Sequence, residues 1–165
     1  MKRTEMQLNT EKAKSFQFNK QMFIDAIAAL FVLLFLYTAT SKLAEYDKSL
    51  LQMSKSPIIT DYAYFLVWLV PAVEIIIAIL LMMPRTIMIG LYGAFSMMTL
   101  FTAYIIAILN FSDTIPCSCG GVLAAMDWNQ HLIFNIVFMI LAIAGIILQA
   151  KVEEGKKTKD NSLYI

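Results

Sequence analysis

Charge is scarce in this chain, and histidine and cysteine are scarcer. Only 15% of the 165 residues are Asp, Glu, Lys or Arg, and the net charge is +1. A balance so near zero gives no electrostatic case for a nucleic-acid partner. There is one histidine, His131, and there are two cysteines, Cys117 and Cys119. One cysteine pair can be a station in a relay of thiols, but not the whole relay. No internal repeat is visible, and an inverted repeat is the mark of many membrane carriers. The polar start runs into a full-length apolar block with no small-residue cleavage site between them. It therefore reads as an uncleaved anchor rather than a signal peptide.

What the chain has in abundance is apolar surface. Hydrophobic residues make up 59% of it, and the mean hydropathy is +0.69. A soluble domain of this size could not bury so much. The apolar residues gather into four blocks, Phe23 to Leu43, Tyr62 to Met83, Thr86 to Phe111 and His131 to Ala150. Each meets the roughly 20 residues needed to cross a bilayer. Inside lipid each must be helical, because its backbone has no water to bond. The expected fold is all-α, an integral membrane four-helix bundle. Residues 1–20 form a polar leader, frayed or a short surface helix. Residues 21–150 form the bundle, and residues 151–165 a charged tail, expected to be disordered.

The placement of Lys and Arg sets the orientation. Lys2, Arg3, Lys12, Lys14, Lys20, Arg85, Lys151, Lys156, Lys157 and Lys159 lie on one side, and Lys42, Lys48 and Lys55 on the other. That asymmetry predicts both termini in the cytoplasm. The expected location is a bacterial inner membrane, with the loops Glu45 to Asp61 and Ser112 to Gln130 facing the periplasm. In the first loop, Asp47 to Ser56 has the mixture expected of a short helix lying on the surface, ended by Ser56-Pro57. In the second, Val122 to Met126 is apolar but too short to span, and fits a segment that dips into the interface or lids the bundle. Asp127 and Gln130 fit a capping box that starts the last helix at Trp128. Gly90, Gly93 and Ser96, and Ala142 with Gly145, offer small faces for close helix approach.

The second loop carries Pro116-Cys117-Ser118-Cys119-Gly120-Gly121. On an oxidising face this pair can form a disulfide. A ring closed across one residue is tight, and strain makes such a bond easier to reduce. A structural staple is the weaker reading, since so short a loop gains little from closure. His131 follows in the first turn of the last helix. It serves either as an acid-base neighbour of a thiolate or as an interfacial polar residue. Cys117, Cys119 and His131 together could also bind Cu(I) or Zn(II), with Met126 as a further soft ligand.

Glu74 lies mid-span, where a carboxylate is costly and marks a candidate site. Lys42 is its expected partner, and a buried ion pair fixing helix register is favoured over a proton path. Reaching Glu74 requires Lys42 to turn inward rather than toward the surface. Tyr37, Phe101, Tyr104 and Trp128 are candidates for the lining of a quinone pocket, though aromatic residues in bundles more often pack or sit at interfaces. Asn129, Gln130 and Asn135 fit interhelical hydrogen bonding, Asn135 one turn from His131 on the same face.

These residues form a pattern. Tyr37 with Ser41-Lys42-Leu43, Ser56-Pro57, Pro71 with Glu74, and Cys117-Ser118-Cys119-Gly120-Gly121 followed by Trp128, His131 and Asn135 resemble the MauE branch of the DoxX-like membrane proteins. The resemblance covers about Asp25 to Leu148 and is carried mainly by the cysteine block and its Trp-His-Asn sequel. It implies a four-helix bundle associated with redox work, beside a thioredoxin-like partner such as MauD, in maturing a disulfide-rich periplasmic protein. A distant likeness to DsbB and vitamin K epoxide reductase implies quinone-linked disulfide chemistry. Those proteins use more than one cysteine pair or a Cys-x-x-Cys centre, whereas this chain has a single Cys-x-Cys. The resulting expectation is a membrane thiol-disulfide component. Cys117, Cys119 and His131 are its reactive groups, and Trp128, Tyr37, Glu74 and Lys42 form a quinone or proton site. The alternatives are a non-enzymatic assembly subunit of a membrane complex and a Cu/Zn-binding membrane protein.

Overall fold

Residues three and four apart share a helix face, and each long helix here buries one such stripe. In the first helix the stripe is Ile24, Ile27, Ala28, Phe31, Phe35 and Ala39. In the second long helix it is Ala63, Val67, Pro71, Glu74, Ala78 and Leu81. The opposite faces carry exposed Leu33, Phe65, Met82, Leu100, Ile133 and Ile140. Apolar cover on that scale suits lipid rather than water.

In this computed structural model the described residues are 2–54, 59–111 and 128–161, with side chains described for 20–51, 53–54, 59–110 and 129–155. The elements are α1 (Lys2–Ala44), α2 (Tyr46–Ser54), a 3-10 turn (Thr60–Tyr62), α3 (Ala63–Met82), α4 (Ile87–Phe111) and α5 (Trp128–Asn161). Four segments are long and apolar enough to cross a membrane, Lys20–Ala44, Thr60–Met82, Ile87–Asn110 and Asn129–Gly155. The protein is an all-α four-helix membrane bundle, with no strand among the described residues.

The four long helices form a ring. α1 packs on α3, α3 on α4, α4 on α5, and α5 returns to α1. Lipid tails are as apolar as leucine, so close fit rather than escape from water must hold such a ring. The small residues supply that fit. A Cβ on Gly90 would stand 2.9 Å from the Leu81 backbone nitrogen, and one on Gly145 3.0 Å from the Leu91 side chain. Ser96, by contrast, is exposed and takes no part. Aromatic rings fill the α1–α5 seam, with Phe31 edge-on to Phe138 at 5.3 Å and stacked on Phe35 at 5.8 Å.

Two ends differ from expectation. The polar leader is helical from Lys2 and continuous with the first span, and the charged tail stays helical to Asn161. No glycine or proline interrupts residues 2–44, and extending a helix already nucleated by a span costs little. The Lys- and Glu-rich tail has favourable helix propensity in the same way. The α3–α4 connection is a tight turn. Thr86 N–H donates to Met83 O at 3.0 Å and its hydroxyl to Leu80 O at 2.8 Å.

α2 lies against α3, with Tyr46 and Trp68 rings 5.5 Å apart. Ser49 is buried, and its hydroxyl donates to Lys42 O at 3.3 Å. This short helix therefore roofs one end of the bundle, the end where α1 finishes and α5 begins.

Candidate functional site

Under that roof the helices part around a cavity of about 450 Å³, partly open to the outside. Its wall is mainly apolar, drawn from every helix. The polar groups on it are Thr38 and Lys42 of α1, Ser49 of α2, Tyr104 of α4, and His131 and Asn135 of α5.

Lys42 turns inward. Its Nζ lies 2.5 Å from Glu74 Oε1, with the lysine side chain 12% exposed and the glutamate side chain 0% exposed. The same ammonium sits 5.2 Å from the centre of the Phe101 ring, within the range of a cation–π contact. Lys42 belongs to the cavity wall and Glu74 does not, so the carboxylate stands behind the ammonium. Thr38 adjoins that carboxylate, but its hydroxyl donates to Phe35 O at 3.2 Å. Glu74 Oε2 is buried with no hydrogen-bond partner among the described residues. A fully buried carboxylate of this kind depends on its one cation, because isolated burial of charge is expensive.

His131 and Asn135 arrive one helical turn apart at the start of α5, where they are 7% and 2% exposed. The expected shared face is present. The expected interhelical bond is not made by the Asn135 Nδ2, which has no partner among the described residues. Asn129 and Gln130 are exposed instead. Helical phase explains the difference: positions 131, 135, 138 and 142 turn toward the core, and 129 and 130 turn away from it.

Of the aromatic candidates, Phe101 and Tyr104 line the cavity. Tyr37 is 42% exposed and lies off the wall. Trp128 opens α5, but its side chain lies outside the described residues, as do Cys117, Cys119, Met126, Asp127, Val122 to Met126 and Ser56-Pro57. Among the described residues no three His, Cys, Asp or Glu side chains cluster as a metal site would require.

The sequence pointed to Phe101 and Tyr104 as pocket lining, but not to Thr38 and Ser49 as parts of the cavity. The signal available for Thr38 was its spacing, one turn before Lys42 on the same face.

No curated protein and no solved structure matches the chain. The family described as Methylamine utilisation protein MauE matches residues 20–148. That stretch contains Lys42, Glu74, both cysteines, His131 and Asn135, and on this match the chain belongs to the MauE family.

Proposed function

We propose that the protein is a membrane thiol-disulfide component whose Cys117–Cys119 pair exchanges with a thioredoxin-like partner at the periplasmic face of a bacterial inner membrane. The observation that supports this is where the cysteine-bearing segment is anchored. It leaves α4 after Phe111 and enters α5 at Trp128. Tyr104 and Ile105 on the first of these helices and His131 and Asn135 on the second wall one cavity. A reactive pair carried between two helices that wall one cavity has a short route along which to hand electrons on.

In this reading a partner thiolate attacks the Cys117–Cys119 disulfide. One S–S bond breaks as a mixed disulfide forms, and the displaced cysteine leaves as a thiolate. The partner's second thiolate then attacks the mixed disulfide. The partner departs oxidised and both cysteines here are left reduced. Two electrons and two protons pass next to a bilayer quinone, which becomes a hydroquinone as the Cys117–Cys119 disulfide re-forms. His131 favours the thiolate form of the nearer cysteine by accepting its proton.

The test is a trap. Cys117→Ser and Cys119→Ser variants are expressed in the native host, and mixed disulfides are captured by acid quenching and alkylation. One variant is expected to hold a thioredoxin-fold protein through a bond that reductant releases. Capture of no partner by either variant, with growth and partner oxidation unchanged, refutes the reading and leaves a non-enzymatic assembly subunit.

A further inference from the structure

We infer that the 450 Å³ cavity is a binding site for the head of a neutral, lipid-soluble carbonyl compound, the chemical class to which membrane quinones belong. The inference deepens the proposed function by giving the acceptor a place, yet as a claim about binding it stands without the cysteines.

Three features select the ligand. The first is size and lining. A cavity of about 450 Å³ with a mostly apolar wall falls in the range of about 300–1,000 Å³ that small-molecule sites occupy. Phe101, Tyr104 and Phe134 on that wall offer ring faces and edges to a flat head.

The second is an unused donor. Asn135 is 2% exposed and lines the cavity, and its Nδ2 has no partner among the described residues. Leaving such a donor unmade inside a membrane bundle costs free energy. A carbonyl oxygen is the simplest acceptor that meets it.

The third is charge. Among the described wall residues the only ionised side chain is Lys42, and Glu74 already balances it. A carboxylate or phosphate head would bring a negative charge with no counter-ion left to meet it. A cationic head would find no acidic side chain among the described wall residues. A neutral head that accepts hydrogen bonds suits both Asn135 and the face of the lysine ammonium not turned to Glu74.

The experiment uses the full-length chain with both cysteines changed to serine, stripped of native lipid and placed in nanodiscs of synthetic phosphatidylcholine. The probes are radiolabelled decylubiquinone and, separately, palmitate. Decylubiquinone is expected to bind saturably at one site per chain. Asn135→Leu, which keeps the volume and removes the donor, is expected to weaken binding about tenfold, the worth of one buried hydrogen bond. Val73→Phe, which fills the cavity, is expected to abolish it. Size-exclusion profiles and thermal unfolding of both variants establish that each is folded. Palmitate is expected to show no saturable binding and no competition. Non-saturable quinone uptake by the parent chain overturns the inference, as does unchanged affinity in the two folded variants. Competition by palmitate at equal affinity overturns it too, assigning the cavity to an acyl chain. Because no thiol is present, failure here leaves the trapping experiment standing, and failure of the trap leaves this one standing.

Discussion

Lys42 and Glu74, 32 positions apart in the chain, meet with a 2.5 Å separation between Nζ and Oε1. The contact joins α1 to α3 beside the cavity and leaves the pair with no net charge. Its energetic meaning depends on whether one partner is removed or both. Glu74→Ala strands a cation in the bundle, and Lys42→Met strands a carboxylate whose other oxygen already lacks a donor. Each single change is expected to cost about 3–5 kcal/mol. The double variant Lys42→Met with Glu74→Leu is expected to recover most of that loss. Reversible unfolding in mixed micelles checks this through a double-mutant cycle, and additive losses would show that the two residues do not act as a pair.

A Cβ added at Gly90 would meet both the backbone nitrogen and the side chain of Leu81 at 2.9 Å. Gly90→Ala is therefore expected to force the α3–α4 hairpin apart and to destabilise by about 1–3 kcal/mol. Ser96→Ala, on the exposed face of the same helix, is expected to change stability by less than about 0.5 kcal/mol. Thermal unfolding of the two variants side by side measures the contrast, and equal effects would remove close approach as the reason for the glycine.

Orientation is checked with a membrane-impermeant maleimide. In intact cells whose outer membrane has been permeabilised, Cys117 and Cys119 are expected to label after mild reduction. In a cysteine-free background, Arg85→Cys is expected to label only once the inner membrane is opened. The excess of Lys and Arg on one side predicts this result, and the opposite pattern would turn the protein over.

His131 gives the sharpest kinetic expectation. If it accepts a proton from a cysteine, His131→Ala lowers the alkylation rate of the reduced pair at neutral pH and moves the pH–rate curve upward. Mixed-disulfide trapping still occurs in that variant, but more slowly, by about 10²-fold or more. A curve unchanged by the substitution would make His131 a wall residue only.

The four spans could be read from the chain because length and apolarity alone decide what crosses a bilayer. The Lys42–Glu74 pair was legible too, since a carboxylate in mid-span needs a cation and few were in reach. The helical extensions at both ends were harder. Polar residues look alike whether frayed or drawn out from a nucleated helix, and Gly155 in the tail argued against extension there. Of the cavity, the sequence marks only Phe101 and Tyr104 as pocket lining. The cavity depends on side chains from five helices, and on α2 folding over Lys42, where hydropathy alone could put that segment anywhere on the surface. Asn135 drew notice for its face, yet only the arrangement of its neighbours shows that its Nδ2 is left without an acceptor.

The ring order has a consequence for biogenesis. α5 leaves the ribosome after the other three spans, and it closes the ring by touching both α4 and α1. Until it docks, the cavity is an open groove between α1, α3 and α4, lacking His131 and Asn135. The cysteines precede α5 in the chain. A nascent or truncated three-span chain thus holds an ion pair but no finished chamber, and the full wall exists only when α5 has docked.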